Sequence, residues 1–196
     1  AEVVVLVLDA AAPMERQDLN IASRTLDEGR ALVIALNKWD AVKDQKAALT
    51  TLDGVLEKSL QQVKGVPVVP ISARTGFGLD RLMEAVLRIH QLWNKRVPTH
   101  KLNEFLRAVV EAHPTPMASN GRRVPMKYMT QVNARPPTFV IFTSNPDQLP
   151  DSYVRYLTNG IRDKFGMMGV PMRIHLRKRS NPFAGKAAAR PRKNKP

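Results

Sequence analysis

Two short strings carry the residues best suited to chemistry. Asn37-Lys38-Trp39-Asp40 follows the apolar run Ala31–Leu36, and Ser72-Ala73-Arg74 follows the apolar run Val66–Ile71. Loops at the carboxyl ends of buried strands are where an open α/β sheet places ligand-contacting groups. The side chains suit the edge of guanine. An aspartate at position 40 accepts two hydrogen bonds, from the ring N–H and the exocyclic amine of that base, a donor pair that adenine lacks. A site built around such a partner rejects the analogue strongly, because an unpaired buried group costs free energy. Asn37 offers an amide to the far side of the base, the Lys38 stem can lie along its plane, and backbone N–H groups around Ala73 can meet its oxygen. Asp40 capping an ordinary helix would also explain the first string. The second string, one strand further on, is what favours the base site.

The matching phosphate machinery is not in the sequence. Guanine-nucleotide hydrolases hold phosphate and magnesium with a Gly-x-x-x-x-Gly-Lys-Ser/Thr loop. That loop does not occur in these 196 residues, and no Asp-x-x-Gly segment lies ahead of a strand in the first half. Val3–Leu8 reads as a mid-sheet strand, so the sheet is expected to lack its amino-terminal half. The chain by itself is then expected not to hydrolyse GTP.

Composition limits the alternatives. With no cysteine, disulfides and thiolate metal sites are excluded. His90, His100, His113 and His175 have no metal-ligand spacing. No apolar run approaches the roughly 18 residues of a membrane span, and the start lacks the basic flank of a signal peptide. The net charge of +14 is unevenly placed: residues 1–97 hold 13 Lys/Arg against 12 Asp/Glu, while residues 98–196 hold 18 against 5. Such asymmetry points to a polyanionic partner for the second half, or to a solubilising tail.

The positioning elements follow from periodicity. The first half alternates strand and helix, with helices expected near 15–28, 46–63 and 79–93. Three strands with helical crossovers argue for a parallel sheet. Arg96–Thr99 reads as a boundary. Beyond it, a helix to about Ala112, strands over Val124–Val132 and Thr138–Thr143, a helix from Asp151 with Tyr153, Val154, Tyr156, Leu157 and Ile161 inward, and a strand over Met172–Leu176 give the order α-β-β-α-β. From Arg177 on, basic residues alternate with Pro, Gly and Ala, a composition that cannot build a core. The expected division is 1–97, 98–180 and a disordered basic tail over 181–196.

These strings, with Arg16-Gln17-Asp18-Leu19, Gly121-Arg122-Arg123-Val124, Asn133–Pro137 and Leu149–Leu157, resemble the EngA/Der family of double GTPases over roughly residues 1–183. The second-half strings are the more particular. The resemblance implies tandem GTPase domains followed by a KH-like RNA-binding domain, and work in assembling the large (50S) ribosomal subunit in the bacterial cytoplasm. Here it would cover part of the second GTPase domain and the KH-like domain. It implies GTP or GDP as ligand, with Mg²⁺ only where a phosphate loop is present, and guanine contacts at Asn37, Lys38, Trp39, Asp40, Ser72, Ala73 and Arg74. The expected partners are the large subunit and its ribosomal RNA. No membrane is expected, and the chain is expected to act as a monomer. A nucleotide-free RNA-binding or docking module is the competing reading.

RNA contacts are expected from basic faces: Arg122, Arg123, Lys127, Arg135, Arg155, Arg162, Arg173, Arg177, Lys178 and Arg179. Tyr128, Tyr153 and Phe183 are either base-stacking rings or core. Gly166-Met167-Met168-Gly169 has the letters of the Gly-x-x-Gly clamp of KH modules. It lies between a helix and a strand, where a helix stop and turn is the favoured reading.

Overall fold

The computed structural model describes residues 1–118 and 121–178. Arg179, Phe183 and the expected tail lie outside the described residues. The six-residue apolar run becomes β2 (Ala31–Asn37), the middle strand of a parallel sheet ordered β1-β2-β3, with β1 at Val3–Asp9 and β3 at Val68–Pro70. Every residue from Ala31 to Leu36 has zero exposure, because helices cover both faces. Leu32, Ile34 and Leu36 face Leu26 and Leu52, from α1 (Arg16–Asp27) and α2 (Gln45–Ser59). Ala31, Val33 and Ala35 face Ile89 and Trp93 of α3 (Leu79–Trp93). Each such aliphatic side chain contributes on the order of 1.5–3 kcal/mol by burial.

The second unit is α4 (Thr99–Ala112), β4 (Met126–Ala134), β5 (Pro137–Thr143), α5 (Asp151–Phe165) and β6 (Arg173–Lys178). β5 is central, antiparallel to β4 and parallel to β6. Leu102, Phe105 and Leu106 of α4 pack with Leu157 and Ile161 of α5 against Met129, Phe139 and Ile141 of the sheet.

Several boundaries differ from the sequence expectation. α2 stops at Ser59 rather than near Val63; Leu60 and Val63 still reach the core, from a turn closed by Val63 N–H to the Leu60 carbonyl at 3.0 Å. β4 runs Met126–Ala134, two residues further along the chain than expected. Tyr156 does not point inward. It is 36% exposed and meets the His113 and Tyr153 rings edge-on.

The two units are packed on each other. Within the first unit, the Trp93 indole N–H donates to the Gly29 carbonyl at 2.8 Å in a buried contact. Gln131 ties the connection, accepting from Val97 N–H at 2.8 Å and donating to the Lys95 carbonyl at 2.9 Å. Lys95 Nζ reaches the Phe165 carbonyl at 2.6 Å. Val170 of the second unit joins the core beneath α3. The Gly166–Gly169 turn is part of this seam. Gly166 ends α5 in a left-handed conformation, Met167 is fully buried, and Gly169 N–H donates to the Lys64 carbonyl at 2.8 Å. A Cβ on Gly169 would lie 2.6 Å from the Gly65 carbonyl oxygen.

Candidate functional site

β2 and β3 are parallel neighbours, with Leu36 beside Pro70, so their following loops emerge side by side. Lys38 adopts a left-handed conformation at φ 61°, and its N–H donates to Asn37 Oδ1 at 2.8 Å. A single 3-10 turn, Trp39–Ala41, follows. Trp39 is 6% exposed and sits in the core; its backbone N–H donates to the Ile71 carbonyl at 3.1 Å. The indole thus anchors the turn that presents Asp40.

Asp40 faces the second loop. Its Oδ1 accepts from Ser72 Oγ at 2.6 Å, and its Oδ2 from Arg74 Nη2 at 2.6 Å. Asn37 Oδ1 accepts from Ala73 N–H at 3.0 Å, so one amide stitches both loops. Ser72 is fully buried, and its Oγ also accepts from Thr75 N–H at 3.2 Å. Gly78 holds the far side of this turn in a left-handed conformation, where a Cβ would collide with the Pro70 carbonyl. The Ser72 hydroxyl first, then the backbone N–H of Asp40 itself and the Arg74 guanidinium, hold the Asp40 carboxyl below its ordinary range. Asp40 is therefore an anionic acceptor with fixed direction. Its Arg74 partner has a side chain 80% exposed, so that contact is the replaceable one, and an incoming pair of N–H donors can take its place.

The sequence reading missed Asp9. It ends β1 directly beside Asn37, and its Oδ2 takes Lys38 Nζ at 2.7 Å. The pair lowers the Asp9 pKa and raises that of Lys38, in each case chiefly through the hydrogen bond between them. An acid ending a strand that runs parallel to the one bearing Asn37 was the available signal. The Ala73 N–H expected to meet the base is instead bonded to Asn37.

The basic candidates of the second unit do not form one cluster. Arg123 Nη1 donates to the Thr115 carbonyl at 3.0 Å in the loop carrying Arg122. Arg135 pairs with Glu2 at 3.2 Å. Arg155 lines a groove of about 720 Å³ against α2, opposite Asp53 and Glu57. Arg162 is buried in the seam, where its guanidinium reaches the Gln62 carbonyl and Asn159 Oδ1 while Nε has no partner; burial pushes its pKa down. Lys127, Arg173, Arg177 and Lys178 lie on the second sheet. Tyr153 donates to the His113 carbonyl at 2.7 Å and packs against the core. No group of three His, Cys, Asp or Glu suited to a metal ion exists among the described residues, and none of their helices is long and apolar enough to cross a membrane.

Two family models match end to end. Residues 1–91 match the elongation factor Tu GTP-binding domain, and residues 96–177 match the KH-domain-like carboxyl-terminal domain of EngA bacterial GTPase enzymes. The chain is 53% identical over 190 residues to the GTPase Der of Mesorhizobium japonicum and 51% identical over 193 residues to that of Dinoroseobacter shibae. The chain belongs to the EngA/Der family. Those alignments take in 97% of this chain but only 40% and 39% of the relatives, so the chain spans well under half their length. Its mixed α/β fold is a parallel three-stranded GTPase-type sheet followed by a KH-like domain. Among solved structures, Era of Aquifex aeolicus bound to GDP and aluminium fluoride is similar at 17% identity and a TM-score of 0.40, over 93% of this chain and 66% of that one. That distance carries no inference.

Proposed function

We propose that residues 1–97 are the base-recognising part of a guanine-nucleotide-binding domain. In this reading the Asn37–Asp40 and Ser72–Arg74 loops select GTP or GDP, and Mg²⁺ enters only with a phosphate loop. The supporting observation is the convergence on Asp40 and Asn37 of donors from the neighbouring loop, at 2.6 to 3.0 Å. A lone helix cap would not produce that arrangement. The exposed apolar side chains of Val5 and Val7 on β1, with Leu79, Met83 and Leu87 on α3, further support a sheet completed by the phosphate-holding half of such a domain, since large apolar patches are seldom left to water. These 196 residues alone do not hydrolyse GTP, because hydrolysis needs that loop.

Residues 98–180 act as the RNA-binding unit, with the basic tail 181–196 adding charge. The protein serves assembly of the large ribosomal subunit in the bacterial cytoplasm, as a monomer. The Der name of the relatives and the excess of Lys and Arg in this half support the assignment. The self-satisfied state of Asp40 favours one competing reading, a docking module that binds RNA and no nucleotide. Displacement of a fluorescent GDP analogue separates the two, using this chain joined to the phosphate-holding half of its domain. GDP should displace the analogue and ADP should not. Equal displacement by both, or no binding, removes the guanine-site reading.

A further inference from the structure

We propose that the Tyr128–Phe142–Arg177 end of the β4–β5–β6 sheet, on the face away from the helices, is a stacking platform for single-stranded RNA. Tyr128 and Phe142 supply the base contacts, and Arg177, His175 and Lys127 the backbone contacts. This deepens the RNA-binding reading above and rests on it.

Strand alternation sets the face. Phe139 and Ile141 of β5 point into the core beneath the helices, so Val140 and Phe142 point the other way. The ladder then aligns their neighbours in rungs. Tyr128, Phe142 and Arg177 lie side by side across the three strands, and Thr130, Val140 and His175 form the next rung. The Tyr128 and Phe142 rings stand 6.0 Å apart at 43°. Tyr128 is 43% exposed, Phe142 is half-buried, and His175 and Arg177 are exposed. The register is irregular between Met126 and Tyr128, and the exposed Lys127 precedes Tyr128 there. At the far end, Arg173 turns toward the first domain and donates to the Asp27 carbonyl at 3.2 Å.

None of the three strands contains an aspartate or glutamate. An acid-free strip of cations beside accessible rings matches a ligand with negative backbone and flat faces. Aromatic stacking of this kind is tolerant of base identity and requires unpaired bases. The usual KH element is otherwise engaged. The Gly166–Gly169 turn spends its backbone on the seam, with Gly169 N–H on Lys64 and Met167 fully buried. With that donor spent on the seam, the turn is not the phosphate clamp, and the sheet face combines rings with cations.

The test is fluorescence anisotropy of a short fluorescein-labelled oligouridine with the whole chain at several salt concentrations. Tyr128→Ala should weaken binding by about 5- to 150-fold, the range of one lost stack, while Tyr128→Phe stays within about twofold. Arg177→Ala should weaken binding and flatten the log–log salt slope by about 0.7, one phosphate contact on a single strand. Circular dichroism melts of each variant confirm that the fold persists. Tyr128→Ala binding like wild type would overturn the platform, as would an RNA duplex binding as tightly as the single strand. Displacement of the probe by polyglutamate as readily as by unlabelled oligouridine would overturn it too, marking a site for acidic protein. Absence of any RNA binding by wild type would remove the RNA reading itself, an outcome distinct from these.

Discussion

Gly169→Ala separates a contact that holds the two units together from an ordinary turn. Gly169 has φ +77°, and a Cβ there would lie 2.6 Å from the Gly65 carbonyl oxygen and 3.1 Å from Ile89 Cδ1. A left-handed conformation costs a non-glycine residue roughly 1–2 kcal/mol. The carbonyl cannot yield without moving its loop, which breaks the Gly169 N–H to Lys64 carbonyl bond, worth about 0.5–1.5 kcal/mol. The sum is about 1.5–3.5 kcal/mol. For a chain of this size it corresponds to a Tm lowered by roughly 3–14 °C. Gly166→Ala is the internal control, because that residue has φ +61° but nothing within 4 Å of its Cβ position. It should lose only the conformational part, about 2–8 °C, and so less than Gly169→Ala. Differential scanning calorimetry of both variants reads the difference. Equal losses would refute the docking role of this turn.

Other consequences follow from single contacts. Arg74→Ala removes the replaceable donor on Asp40 Oδ2, so GDP affinity of the completed domain should rise, by less than about fivefold since exposed ion pairs are weak, and the gain should shrink with added salt in titration calorimetry. The Asp40 carboxyl is held below its ordinary range, so the stability it lends is fully present above that range and disappears as pH falls through the lowered value. Urea midpoints of wild type and Asp40→Asn should therefore differ at neutral pH and converge in acid. Trp93→Phe deletes the buried donor to the Gly29 carbonyl, and the unpaired carbonyl should cost about 1–3 kcal/mol by urea denaturation.

The first sheet was legible because its middle strand is buried on both faces and reads as an unbroken apolar run, and because the helices between strands repeat with helical spacing. The base loops were legible as residue types at strand ends. Their closed state was not. That Ser72 and Arg74 satisfy Asp40, and the Ala73 N–H satisfies Asn37, depends on which oxygen each donor reaches, and sequence spacing carries no such information. Lys38 pairing with Asp9 was hidden for a related reason, since parallel register alone brings residues so far apart in sequence together. The end of α2 moved because Leu60 and Val63 serve the core equally well from a turn, which periodicity cannot distinguish. The spread of the arginines followed from the packing of the two units: Arg162 and Arg155 face the first domain, a relation that composition does not encode.

The central claim is that Asp40, aimed by β2 and held by Ser72, reads the amino edge of guanine. Titration calorimetry of GDP and XDP against Asp40→Asn, in this chain completed with its phosphate-holding half, tests it directly. The amide supplies an N–H to the xanthine oxygen in place of the acceptor that guanine requires, so preference should invert from GDP to XDP. Undiminished preference for GDP in that variant would contradict the account.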